Sequence, residues 1–191
     1  EIQKADYIIG VDHGAAWLIA HGITPNIAIG DFDSVTKEEL ARIKQSVKIV
    51  MVHPAEKDFT DMELAVAEAV KLKPKSVIIY GGIGTRLDHT LGTFQLLEHF
   101  LQAGIAVRLV DDHNDICLVS GKQIMRKGAF RYISVLSFSQ SATVSLRGFL
   151  YEASHLQLTR GMTRGISNEF VGKSGTVNVH EGIVLVIQSR D

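Results

Sequence analysis

Ile27-Ala28-Ile29-Gly30-Asp31-Phe32-Asp33-Ser34 is the stretch that decides how this chain is read. Consecutive apolar residues without alternation mark a strand buried on both faces, as in a parallel sheet. Gly30 ends the run, and two aspartates separated by one residue follow. In open α/β sheets, ligands bind at the carboxyl edge of the strands. Two carboxylates that close repel by up to ~4 kcal/mol at an effective dielectric near 20. A cation, a proton or the N–H groups of a turn must compensate them. A plain Asp-rich turn is the structural alternative, since Asp and Ser favour turns. Recurrence of the pattern along the chain favours a site.

Toward the N-terminus, Tyr7 to Val11 is an apolar run ending at Asp12. Gly14 to His21 reads as a helix with Trp17 and Leu18 inward, stopped by Gly22. In the other direction, Thr36 and Glu39 have capping-box spacing, so a helix is expected to about Gln45. Val47 to Val52 is a third strand. Thr60 and Glu63 form a second capping box, followed by the apolar stripe Met62, Ala65, Val66, Ala69 and Val70. Asp61 falls in that helix's first turn, where a carboxylate is electrostatically favoured. Helix initiation explains Thr60, Asp61 and Glu63, but not Lys57 and Asp58 crowded onto the same loop.

Ser76 to Tyr80 is a fourth strand and enters Gly81-Gly82-Ile83-Gly84-Thr85-Arg86-Leu87-Asp88-His89. This is neither a P-loop nor the dinucleotide fingerprint. Its backbone N–H groups can still approach an anion, and Arg86 adds a bidentate phosphate donor beside Asp88. A helix is expected from Asp88 to Gln102, and a fifth strand from Ile105 to Val110. Apolar strands alternating with helices indicate a parallel sheet covered on both faces. After Asp115 the pattern changes to short strands (116–119, 131–138, 143–146, 175–179 and 183–187) separated by polar turns, the signature of a small antiparallel β domain. The expected domains are 1–117 and 118–191.

Composition sets outer limits. The 191 residues are 46% hydrophobic and 21% charged, as in an ordinary globular protein with one large or two small domains. A net charge of −1 without a Lys/Arg block leaves nucleic-acid binding no electrostatic footprint. Cys117, the single cysteine, excludes an internal disulfide, fits a reducing cytoplasm and reads as a small apolar strand residue. No apolar run approaches the ~20 residues needed to cross a membrane. The chain opens at Glu1 and enters a strand almost at once, so an N-terminal piece is expected to be missing.

Asp12, Asp31, Asp33, Asp58, Asp61 and Asp88 all fall at expected carboxyl ends of strands or in the turns beyond, with Lys57, Arg86 and a glycine turn on the same rim. Carboxylates gathered with cationic donors suit a magnesium–polyphosphate complex. Magnesium takes only one or two protein carboxylates and keeps several waters, so these six are not all ligands. The residues by themselves reach magnesium-dependent chemistry on a phosphate compound, a nucleotide being the natural choice.

Five blocks in order, Val11-Asp12-His13-Gly14, Gly30-Asp31-Phe32-Asp33-Ser34, Lys57-Asp58-Phe59-Thr60-Asp61, Gly84-Thr85-Arg86-Leu87-Asp88-His89 and Ile166-Ser167-Asn168-Glu169, resemble the thiamine pyrophosphokinases over essentially the whole chain. The resemblance implies a Rossmann-like N-terminal α/β domain binding ATP and magnesium, and a C-terminal β-sandwich domain binding thiamine. It further implies a homodimer with active sites between subunits. The implied reaction moves pyrophosphate from ATP to the hydroxyethyl group of thiamine, giving thiamine diphosphate and AMP. By the same resemblance, Asp31, Asp33 and Asp61 are metal ligands and, with Arg86 and Asp88, catalytic. Asp12, Lys57, Asp58, Thr60, Gly82 and Arg86 contact ATP, and Asp88, His89, Ser167 and Asn168 contact thiamine. Either Asp31 or Asp33 accepts the hydroxyl proton. Two departures from the family pattern stand out: no strand and Gly-Gly turn precede Glu1, and Thr93 occupies a position expected to hold Asn.

Two other readings compete. A haloacid dehalogenase-type phosphatase would use Asp31 as nucleophile, with Asp111-Asp112 as its second acidic cluster, but gives Lys57 and Arg86 no place. A non-catalytic ATP–magnesium sensor has no need of so many charged groups on one rim.

Overall fold

The computed structural model describes residues 2–54, 56 and 58–191. It falls into two compact units, Glu1–Pro74 and Lys75–Asp191. In the first, β1 (Ile9–Val11), β2 (Ile27–Gly30) and β3 (Ile49–Val52) form a parallel sheet in that order. β2 is central and buried along its whole length, as its unbroken apolar run requires. Alternate residues of a strand face opposite sides. Ala28 accordingly packs with Ala15 and Ala16 of α1 (His13–Ala20) and Ile43 of α2 (Lys37–Ser46), whereas Ile27 and Ile29 pack with Ala65 of α3 (Asp61–Lys71).

The start of α2 has the expected capping box: the Thr36 hydroxyl accepts from the Glu39 N–H, and the Glu39 carboxylate accepts from the Thr36 N–H at 2.8 Å. Thr60 caps α3 in the same way, its hydroxyl accepting from the Glu63 N–H. One burial expectation reverses. Trp17 is 45% exposed and stacks on His21 at 4.0 Å, because α1 approaches the sheet through Ala15, Ala16 and Leu18. The approach is close enough that a Cβ on Gly10 would meet Ala15 at 2.9 Å, which leaves no room for an indole on that face.

The second unit begins with β4 (Ser76–Tyr80), α4 (Leu87–Gln102) and β5 (Ala106–Val110), a parallel β-α-β step. The single parallel sheet expected through five strands does not continue here. Asp111 accepts from the N–H groups of His113 and Asn114, and this tight turn sends β6 (Asn114–Val119) back antiparallel to β5. β4 and β5 therefore complete a six-stranded sheet with β6, β13 (Val184–Ser189), β8 (Tyr132–Ser137) and β11 (Asn168–Glu169). A four-stranded antiparallel sheet holds β10 (Ala153–Thr159), β9 (Ser141–Arg147), β12 (Ser174–Glu181) and β7 (Lys122–Arg126).

The two sheets share one core, with Val144, Val177, Val184 and Val186 fully enclosed. Burial of each such side chain contributes about 1.5–3 kcal/mol. Cys117 packs against this core, and burial pushes its thiol up to about 12. No helix among the described residues is long and apolar enough to cross a membrane. Thr36→Ala removes one half of the α2 capping box and is expected to lower stability by about 1 kcal/mol, read as an earlier urea midpoint at unchanged slope.

Candidate active site

The three parallel strands of the first unit end on one edge, and two of the turns beyond them carry aspartates. Asp12 follows β1. Its N–H donates to the Ile29 carbonyl at 3.0 Å, extending the β1–β2 ladder, and its carbonyl accepts from the Ala15 N–H as α1 begins. Joining strand to helix in one residue forces φ to 45° and ψ to −124°. A non-glycine residue in so sparse a region costs on the order of 1–3 kcal/mol, and such strain clusters at functional sites. The Asp12 carboxylate makes no capping bond to α1. Instead Oδ1 accepts from the Phe32 N–H at 3.2 Å, tying the β1 end to the turn after β2. Phe32, itself buried, stands at φ 59° between Asp31 and Asp33.

Asp31 accepts the Asp33 N–H at 3.0 Å. Asp61, the first residue of α3, which packs on β1 and β2, stands at a helix N-terminus, whose partial positive charge favours a carboxylate. Carboxylate oxygens of Asp12, Asp31 and Asp61 all lie within 4.8 Å of one another, and all three residues are half-buried. Gly30 makes this approach possible: a Cβ there would sit 1.9 Å from Asp12 Oδ1. Burial, followed by the charges of Asp61 and Asp31, pushes the Asp12 carboxyl up to about 6, against the Phe32 N–H that favours its ionised form. The donor set is all hard oxygen, which fits magnesium or calcium rather than a metal that prefers nitrogen or sulfur.

The other sequence-derived residues fall as follows. Asp33 is exposed, and its carboxylate lies outside the group of three. Asp58 is on the exposed loop before α3, and Thr60 spends its hydroxyl on the α3 cap. Lys57 lies outside the described residues. In the second unit, Gly82 is buried where a Cβ would meet Leu109 at 2.8 Å and Thr93 at 2.9 Å. The methyl of Thr93 thus packs under the glycine turn while its hydroxyl bonds the His89 carbonyl. Arg86 and Asp88 form an exposed two-bond pair, Nη2–Oδ2 2.5 Å and Nε–Oδ1 3.3 Å, which holds the Asp88 carboxyl below its ordinary value. His89 Nε2 is 3.9 Å from the same carboxylate.

Ser167, at φ 59°, donates its N–H to Ser134 Oγ at 3.0 Å. Asn168 is buried, and its amide pins Tyr151 by both backbone groups, at 2.9 and 2.8 Å, besides accepting from the Glu169 N–H. Spacing alone did not reveal that Asp12 belongs with Asp31 and Asp61. The available signal was its place at a strand end directly before a helix start.

In protein stripped of divalent ions, the sign of the Asp12 effect follows from its raised value. The folded state holds the extra proton between roughly pH 4, the unfolded value, and about 6. That contribution to stability is complete below pH ~4 and lost as pH rises through the folded value. Asp12→Asn is therefore expected to melt higher than the unsubstituted protein at pH 7.5 and equally at pH 4, as calorimetric scans can check.

A family model described as thiamin pyrophosphokinase, catalytic domain, matches residues 1–109, and one described as thiamin pyrophosphokinase, vitamin B1 binding domain, matches 122–184. The thiamine pyrophosphokinase of Bacillus subtilis is 39% identical over 186 residues, which cover 96% of this chain and 87% of that protein. A crystal structure of thiamine pyrophosphokinase from B. subtilis matches with a TM-score of 0.90 at 38% identity, covering 96% of this chain and 87% of that one. One of a family protein from Enterococcus faecalis reaches 0.92 at 29% identity, covering 100% and 92%. With both domain models matched in order and one relative aligned almost end to end, the chain belongs to the thiamin pyrophosphokinase family.

Proposed function

We propose that this chain transfers pyrophosphate from ATP to the hydroxyethyl group of thiamine, releasing AMP. The observation that carries this reading is the convergence of Asp12, Asp31 and Asp61 at one strand edge of the segment matched as the catalytic domain. Asp31 and Asp61 are the proposed direct metal ligands, Asp12 completes the group, and Asp33 holds the turn through its N–H to Asp31. Magnesium bound there supplies charge neutralisation for the phosphate chain. The hydroxyl of thiamine attacks the β-phosphorus in line, AMP leaves, and an aspartate of the 31–33 turn accepts the hydroxyl proton. Such transition states are loose, so positioning and charge neutralisation count for more than base strength.

Arg86, kept charged and oriented by Asp88, is the proposed phosphate donor, and Lys57, Asp58, Thr60 and Gly82 complete the ATP contacts. Asp88, His89, Ser167 and Asn168 serve thiamine, with Asn168 acting through the Tyr151 backbone that it holds. We take the domains as a Rossmann-like 1–117 and a β-sandwich 118–191, the boundary lying between the two matched segments. A cytoplasmic homodimer with active sites between subunits follows from the same reading. It is supported by adjacent, exposed Leu150, Tyr151 and Val171 in the second unit.

Of the second acidic pair that the hydrolase alternative needs, Asp111-Asp112, Asp111 is taken up by the β5–β6 turn, accepting from the His113 and Asn114 N–H groups. Purified protein with ATP and magnesium should form AMP only when thiamine is present. Asp31→Asn should lower that turnover by at least roughly a hundredfold while its circular dichroism spectrum stays that of the folded protein and its melt lies at or above that of the unsubstituted protein. ADP as product, or phosphate release without thiamine, would contradict the proposal.

A further inference from the structure

Among the described residues, two buried side-chain atoms have no hydrogen-bond partner: His53 Nε2 and Gln188 Oε1. Gln188 lies in β13, in the second unit, opposite Asp115 of β6 and Ile133 of β8, and Asp115 is already engaged by Arg108. His53 is different. Its N–H donates to the Gly30 carbonyl at 3.0 Å, and Gly30 directly precedes Asp31. The preceding residue, Val52, is the register partner of Gly30. Pro54 confines His53 to extended backbone. His53 is thus mounted rigidly at the carboxyl end of β3, one strand over from the aspartate turn. An imidazole nitrogen kept from water without a partner is destabilising. A phenylalanine would fill a similar volume without that cost, so retaining a histidine here calls for a use, and the scheme above gives it none.

We propose that His53 is a binding contact for the polyphosphate chain of the nucleotide, its Nε2–H donating to a phosphate oxygen once the nucleotide is seated beside Asp12, Asp31 and Asp61. In the free protein the nitrogen is shielded from solvent and has no partner. The free state carries the cost of the unpaired nitrogen and the bound state relieves it. The inference rests on the nucleotide reading of the aspartate group and adds to it an imidazole N–H donor.

Titration calorimetry with magnesium and a non-hydrolysable ATP analogue, alongside thermal midpoints, tests this in the full chain and in two variants. His53→Phe should melt at or above the unsubstituted protein when free, yet bind the analogue roughly tenfold more weakly. His53→Gln keeps an N–H donor and should recover part of that affinity, with the KM for thiamine unchanged in both. If the unsubstituted protein binds the analogue and His53→Phe binds it equally well, the inference falls and the site stands. If the unsubstituted protein does not bind the analogue, both fall.

Discussion

Mutual repulsion among three carboxylates is the constraint around which the first unit is built. Oxygens of Asp12, Asp31 and Asp61 within 4.8 Å of one another set like charges against folding. The chain meets this with fixed dipoles: the Phe32 N–H aimed at Asp12, the Asp33 N–H at Asp31, and the α3 N-terminus under Asp61. Burial first, and then the charges of Asp61 and Asp31, still leave the Asp12 carboxyl raised. Further costs are accepted to hold the arrangement. Asp12 and Phe32 both stand at positive φ, and Gly30 leaves room for an oxygen where any side chain would collide. A structure that needed only a turn after β2 would need none of this.

The second unit uses its charges differently. Arg108 and Asp115 close on each other across β5 and β6, and Asp111 spends its oxygens on turn N–H groups and the Asn114 amide. These acidic residues are structural although the sequence crowds them as densely as the first group. Arg86 and Asp88, in contrast, face solvent at the start of α4, where an exposed pair contributes little to stability and is easily exchanged for a ligand. Position relative to the end of a strand, and what the backbone already offers the carboxylate, separates the two kinds of cluster.

Much of this was legible in the residues. The apolar run at 27–29, both Thr-x-x-Glu starts and the glycine stop after α4 gave elements within two residues of their bounds, because each rests on local chemistry. β7 escaped notice because it buries only Met125 and shows no alternation, and β10 because its alternation is confined to Leu156 and Leu158, a register shift setting Ala153 apart from them. β11 is two residues long and exists only by pairing with β8. Trp17 was misplaced because helical spacing does not report how closely a helix approaches its sheet. The group of three was legible as acidic strand ends but not as a set: that Asp12 joins it and Asp33 does not depends on backbone angles at residues 12 and 32, which no side-chain pattern encodes.

The central claim is that Asp12, Asp31 and Asp61 act together on one divalent ion. Electron paramagnetic resonance of manganese, titrated into the protein with and without ATP, addresses it without relying on turnover. One tight site per chain is expected, lost on Asp31→Asn or Asp61→Asn and retained on Asp115→Asn. An unchanged manganese signal in the first two variants would show that these carboxylates meet for some other reason.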